Sequence, residues 1–173
     1  MTFQQSVRED QASGIVGEFA FDGPQRAFRY NVVSEDPANN EFGRAFTTIT
    51  DDQTVQAGGN GVFAGIMVCP KQHALRGDAV GTLNPSIALP NDVGADFATM
   101  GQIFVALETS AEIGDSVVYD SEGRLSAISP SANLGAGQTQ ILGAQVVRCD
   151  LDESGLAIIE LTHNQAVNAA EEA

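Results

Sequence analysis

The chain has 173 residues, enough for one domain that buries roughly 70% of its unfolded surface in a sizeable core. Its 8 Lys and Arg stand against 23 Asp and Glu, a formal net charge of −15; such a surface repels phosphates and excludes nucleic acid and anionic membrane as partners. No run is long enough to cross a bilayer, and residues 1–14 lack a cationic start followed by an apolar stretch, so no secretory signal is read and synthesis in a cytoplasm is expected.

Residues 1–22 carry scattered apolar side chains (Phe3, Val7, Ile15, Val16, Phe19 and Phe21) with Gly14 and Gly17 interrupting any helix. This segment is read as an extended arm. Seven of the eleven Phe and Tyr residues lie at or before Phe46, and aromatics so placed either fill a core or anchor a partner surface. The core is expected to take most of them, with Phe3 and Phe19 as the exceptions.

Residues 27–33 and 44–50 favour strands, separated by a polar loop over 34–41 that holds Pro37 and Asn39-Asn40. A glycine cluster, Gly58-Gly59-Asn60-Gly61, then precedes the apolar run 62–68. A phosphate-cradling glycine loop needs a helix to follow, and here a strand follows, so the cluster is a turn. Residues 70–77 suit one or two helical turns between Pro70 and Gly77. Residues 82–90, interrupted by Asn84-Pro85, read as an edge strand or extended loop, and residues 92–100 are ambiguous, with a short helix one option.

The clearest pattern spans residues 102–127. Ile103, Val105 and Leu107 alternate, Val117 and Tyr119 precede a turn at Asp120-Ser-Glu-Gly123, and Leu125 follows it. That is hairpin grammar, with Gly123 free to take the positive φ that closes a type I turn. A Ser/Ala/Gly-rich loop over 129–137 leads to strands at 140–149 and 156–161, paired around Asp152-Glu153-Ser154-Gly155. These elements predict an all-β single domain, a β-sandwich or small β-barrel built from antiparallel hairpins, with at most one or two short helices. The division is an extended N-terminal arm over 1–22, a β domain over 23–164 and a loose polar tail over 165–173.

Reactive constellations are weak. Cys69 and Cys149 each end an apolar run and read as buried reduced thiols, a disulfide being the minor alternative. Asp150, Asp152, Ser154 and Gly155 open like a calcium loop, but the twelfth position is Leu161 and strands flank it, so a hairpin turn accounts for the residues. Cys69 and His73 lie four apart without a second ligand pair. Neither His73 nor His163 sits in a nucleophile motif. No catalytic residue, cofactor or metal is assigned.

Two strings, Gly61-Val-Phe-Ala-Gly-Ile-Met-Val-Cys-Pro-Lys-Gln-His-Ala-Leu75 and Gly114-Asp-Ser-Val-Val-Tyr-Asp-Ser-Glu-Gly-Arg-Leu-Ser-Ala127, resemble segments of the cement, or decoration, proteins of tailed bacteriophages. The opening is similar too: Phe3-Gln-Gln-Ser-Val7, then Gly14-Ile-Val-Gly-Glu-Phe-Ala20 and Gly23-Pro-Gln-Arg-Ala27. The resemblance runs from Phe3 to about Thr162, and its specificity lies in the order and spacing of the pieces. The cysteines and the 34–41 loop have no counterpart in the resemblance, and there the chain is expected to differ.

What the resemblance implies is a β-rich structural protein without an active site, seated on the outer surface of a virion capsid built from an HK97-like major capsid protein. Such proteins join neighbouring capsid subunits, as dimers or trimers, against the pressure of packaged DNA. The expected partners are the major capsid protein and a second copy of the chain, and the expected contact residues are Phe3, Val7, Ile15, Val16 and Phe19. The alternative is a tail or fibre adhesin module for host glycans. That reading is weakened because the chain has no Trp and only two Tyr to stack on sugars.

Overall fold

The computed structural model describes residues 14–49, 53–73, 88–149, 155–162 and 167–169, and its fold is all-β. The strands are β1 (Arg26–Val32), β2 (Ala45–Ile49), β3 (Thr54–Ala57), β4 (Val62–Val68), β5 (Gly94–Ala106), β6 (Ser116–Tyr119), β7 (Leu125–Ile128), β8 (Thr139–Arg148), β9 (Leu156–Leu161) and β10 (Val167–Ala169). A single 3-10 turn, Pro37–Asn39, and one helical turn, α1 (Pro70–His73), complete the described elements. The 34–41 and 70–77 expectations thus correspond to real local structure, although 74–87 lies outside the described residues.

The first five strands close on themselves. β1 runs parallel to β3, β3 pairs with β2, β2 with β4, β4 with β5, and β5 returns to β1. This ring encloses Val32, Phe46, Val55, Ala57, Ala64, Met67, Ala95 and Phe97. Phe46 and Phe97 meet at 5.0 Å and 60°, a tilted packing that aromatic quadrupoles favour. Around the loop from Ser34 to Glu41, polar side chains satisfy one another: Asn40 Nδ2 donates to Leu89 O at 2.8 Å and to Asn91 Oδ1 at 2.9 Å, and Asn91 Nδ2 donates to Ser34 O at 2.9 Å.

The second sheet continues from the same strand, in the order β5-β9-β8-β6-β7. The chain beyond β5 then meets β7: Leu107 bridges Leu125 in parallel, and Glu108 N donates to Leu125 O at 2.9 Å. This curls the second sheet toward closure. The larger core lies between its inner face and the outer face of the ring, where Phe63, Ile66 and Val68 of β4 and Ala98 of β5 pack with Val117, Tyr119, Ile141, Ile159 and Leu161. β4 therefore buries both faces, which is why residues 63–68 form an unbroken apolar run rather than an alternating one.

β5 changes partners midway. Its first half, to Met100, pairs with β1 and β4; from Gly101 onward it pairs with β9. Gly101 has φ +126, and a Cβ there would crowd Phe19 and Gln25 at 3.2 and 3.3 Å. The helix option for 92–100 is corrected by this strand. Ala95 and Phe97 point into the ring while Asp96 stays half-exposed, a period of two that short alanines mask in sequence.

The hairpin turn 120–123 forms as expected. Asp120 Oδ1 accepts from Glu122 N and Arg124 N at 2.9 Å each, and Gly123 has φ +79. The turn also docks on the ring: Ala45 N donates to Gly123 O at 2.8 Å, Gly58 N donates to Ala45 O at 2.9 Å, and Arg44 Nη1 reaches Glu122 O at 3.3 Å. A Cβ on Gly123 would collide with Ala45 O, and one on Gly58 with Ser121 O. The glycine turn read at 58–61 is therefore also a seat for the hairpin. Within the segment read as a loose tail, Val167–Ala169 pairs antiparallel with Thr139–Ile141.

Gly123→Ala is expected to lower unfolding free energy in urea by about 3 kcal/mol, through backbone strain and the collision with Ala45. Gly114 also has positive φ, +95, but nothing lies within 4 Å of an added Cβ, so Gly114→Ala is expected to cost only about 1–2 kcal/mol. Equal losses would mean that the docked turn contributes nothing beyond its own φ.

Candidate functional site

The described part of the arm is a strap laid on the body. Gly17 N donates to Phe104 O at 2.8 Å, Phe104 N to Glu18 O at 2.9 Å, Ala20 N to Gln102 O at 2.8 Å, and Cys69 N to Gly17 O at 2.9 Å. Residues 17–20 thus extend the antiparallel line that β1 begins along β5. Four backbone bonds at about 1 kcal/mol net each outweigh the exposed Glu18–Lys71 pair, 2.8 Å, which contributes less than about 1 kcal/mol. Backbone pairing and packing hold the strap.

The five candidate contact residues fall into different settings. Ile15 is 43% exposed. Val16 is half-buried with Cγ1 against Gly43. Phe19 is half-buried, bridges Ile103 and packs on the larger core. Phe3 and Val7 lie outside the described residues. Of the three described, only Ile15 presents an exposed apolar side chain.

Between the strap and β1 the chain makes an outward loop, residues 21–25, opposite the point where β5 changes partners. A groove of about 380 Å³ lies beneath it, lined by Phe21, Pro24, Gln25, Met100, Glu160 and Leu161 among others. Phe21 is 52% exposed with the Arg148 guanidinium 5.6 Å from its ring centroid, and Phe28, on β1, is 49% exposed. The sequence expectation keeps Phe21 and Phe28 for the core and makes Phe19 an exception; the structure reverses this, with Phe19 packed on the larger core and Phe21 and Phe28 exposed, because distant strand pairing, not local composition, sets their exposure. Nothing in the sequence tied Arg148 to them.

Charge is distributed unevenly. Arg29 pairs with Asp96 at 3.0 Å, Arg44 with Glu41, Lys71 with Glu18 and Arg124 with Glu122. Arg26 and Arg148 form no such pair among the described residues, and both border the 21–25 loop. Two other concavities are polar: one of about 510 Å³ includes Glu35, Asp36 and Glu122, and one of about 390 Å³ includes Arg29, His73 and Asp92.

The residues weighed for chemistry have structural settings. The His73 ring packs at a tilt against Phe42, with centroids 5.6 Å apart. Cys69 and Cys149 form no disulfide and are half-buried against the larger core rather than fully buried as expected; each stands just past its strand, where side chains reach the core only in part. Among the described residues no three His, Cys, Asp or Glu side chains gather as a metal site, and no helix is long and apolar enough to cross a membrane. Asp150, Asp152, Ser154 and His163 lie outside the described residues.

Comparison with known proteins bears on this surface. The family model described as structural cement protein (E217 gp24/Pam3 gp6) matches residues 3–162. A chain from the solved structure titled "The capsid of Myoviridae Phage XM1" superposes with a TM-score of 0.59 at 15% identity, covering 94% of this chain and 98% of that one; at this identity the likeness is one of fold. A search of curated proteins returned no match.

Two weak acids, the half-buried Cys69 thiol and the buried Tyr119 hydroxyl, give the fold an alkaline limit. Burial, then the Asp96 and Glu18 carboxylates, push the Cys69 thiol above its ordinary 9.0, and burial pushes the Tyr119 hydroxyl above its ordinary 10.0 against a smaller lowering by Thr139. Above these ordinary values the unfolded chain releases protons that the folded chain retains, so stability present at neutral pH falls as pH rises. Urea midpoints are expected to hold steady from about pH 7 to 8.5 and decline beyond about pH 9. Cys69→Ser with Tyr119→Phe should flatten that decline; an unchanged slope in the double variant would assign it to other groups.

Proposed function

The chain belongs to the structural cement protein family, a family of phage capsid proteins, and from that premise we propose that it binds the outer surface of the major capsid protein shell and joins neighbouring capsid subunits. The family match across residues 3–162 carries this reading. Membership implies a structural rather than catalytic role and a place in the virion capsid. The finer role, a clamp across subunit boundaries working as a dimer or trimer, is supported by a fold whose two sheets share one strand and whose hairpin turn is fastened to the ring. A rigid body of this kind transmits tension between its contacts instead of deforming.

In this reading the arm makes the shell contact. Phe3, Val7 and Ile15 supply apolar side chains to the capsid, and Val16 and Phe19 fix the strap that presents them. An arm with exposed apolar side chains such as Ile15 suits docking on a partner surface, where such side chains act as anchors. Repetition over a lattice lets modest single contacts sum to stable decoration. The glycan-adhesin reading has no comparable support.

Quantitative mass spectrometry of purified virions is expected to find this chain at a fixed lattice ratio to the major capsid protein, amounting to hundreds of copies; a handful would place it in the tail instead. Ile15→Asp is expected to weaken add-back to undecorated shells by about tenfold, the scale of one lost apolar anchor, with the urea midpoint unchanged. Full occupancy by that variant and by a chain lacking residues 1–13 would remove the arm from the contact.

A further inference from the structure

We propose that Asn60 is a site of spontaneous covalent modification: its side-chain amide cyclises onto the backbone nitrogen of Gly61, and hydrolysis of the ring leaves an aspartate or an isoaspartate at position 60. This goes beyond the shell-binding reading and holds whatever the protein binds.

Asn60-Gly61 is the only Asn-Gly pair in the chain. Attack requires the Gly61 nitrogen to come within about 3–3.5 Å of the Asn60 amide carbon, an approach that a side chain at position 61 obstructs and glycine leaves open. The crossover from β3 to β4 gives the pair freedom to reach that geometry. Gly58 N is held by Ala45 O, and Gly58 O accepts from the Thr47 hydroxyl. Beyond that point, among the described residues, the N–H groups of Gly59, Asn60 and Gly61 donate no backbone hydrogen bond outside the strand ladders. Asn60 is exposed, and its carboxamide makes no hydrogen bond to any described residue. The amide is therefore free to rotate toward Gly61, and water is at hand.

Packing explains why glycine stands at position 61. The crossover lies over β2, and a Cβ on Gly61 would collide with Thr48 O and crowd Thr47. The fold thus demands the one residue that leaves the preceding amide unprotected, while it asks nothing of the Asn60 side chain. In the reaction the Gly61 N–H gives its proton to base, the nitrogen bonds to Asn60 Cγ, and the Cγ–Nδ2 bond breaks as ammonia leaves. Water then opens the five-membered imide at either carbonyl. One water is consumed and one ammonia released, with no oxidant or cofactor, and the chain gains one negative charge. Opening at the backbone carbonyl routes the chain through the former side chain and lengthens the crossover by one atom, two residues from Gly58, the seat of the docked hairpin.

The test is incubation of the full chain in mildly alkaline buffer, followed by peptide mass spectrometry with both isomers resolved. Residue 60 is expected to convert at a rate within about tenfold of that in the urea-unfolded chain, because a loop without hydrogen bonds opens at almost no free energy. Asn133, also exposed but followed by the branched Leu134, is the internal control and is expected to react at least about tenfold more slowly. Asn60→Gln is expected to remove the acidic species seen on isoelectric focusing. The isolated isoaspartate form should unfold at lower urea than Asn60→Asp, which adds the charge without the extra backbone atom; equal midpoints would overturn the link to the hairpin seat. An Asn60 that stays intact, converts no faster than Asn133, or is protected on the order of a hundredfold relative to the unfolded chain overturns the site itself, as does an acidic species that persists in Asn60→Gln.

Discussion

Strand β5 belongs to both sheets, and the rest of the architecture follows from that sharing. Its first half closes the ring with β1 and β4, and its second half starts the second sheet with β9. A thirteen-residue strand cannot satisfy two differently curved sheets without a point of reorientation, because twist and curvature accumulate along a pleated strand. Gly101, with φ +126, is that point. The turn opposite it has a matching consequence: the strap and β1 line the same edge of β5, but five residues, 21–25, loop outward where the edge changes course. The exposed Phe21 is thus a by-product of how one strand serves two sheets.

Two further constraints make the halves one body. β4 offers apolar side chains to both interiors, so neither core can loosen without the other. The β6–β7 turn sits on the ring with backbone against backbone at Gly58, Gly123 and Ala45. Such a contact admits no side chain, which gives it a fixed geometry that a layer of flexible side chains would lack. Buried apolar area supplies most of the favourable free energy, but the glycine contact sets the relative placement of the sheets. Energy and specificity come from different places here.

Much of this was legible in the sequence where local chemistry decides the outcome. The 120–123 turn is written in Asp120 and Gly123, and the unbroken apolar run before Cys69 reports a doubly buried strand. The β8–β9 pair was legible from two apolar stretches flanking Gly155. Legibility failed where tertiary pairing overrides local preference. β3 is a four-residue strand, Thr-Val-Gln-Ala, too short for a period to show, and it exists because β1 and β2 flank it. The first half of β5 holds short alanines and takes its state from its two partners, β1 and β4. The candidate surface divides in the same way: apolar residues in the arm were visible, whereas the settings of Ile15 and Phe19 depend on β5, which only the fold supplies.

Acidity and closure together restrict where this protein can touch anything. A closed ring offers few edges, and a strongly anionic surface discourages contact with itself, so productive interfaces concentrate at positions where backbone is uncovered and charge is locally neutral. Four of the six described cations are spent on intramolecular pairs with carboxylates. Three of those four pairs (Arg29–Asp96, Lys71–Glu18 and Arg124–Glu122) place a substantially exposed cation in water, where an ion pair contributes little to stability. Their consequence is instead to mute charge around the strap, the start of β1 and the docked hairpin. Arg148 remains over the exposed Phe21 ring, and Arg26 follows the 21–25 loop without an ion pair among the described residues. Such economy has a physical rationale under the proposed shell binding: the acidic remainder keeps copies soluble and apart, and the muted patches are where contact meets least repulsion.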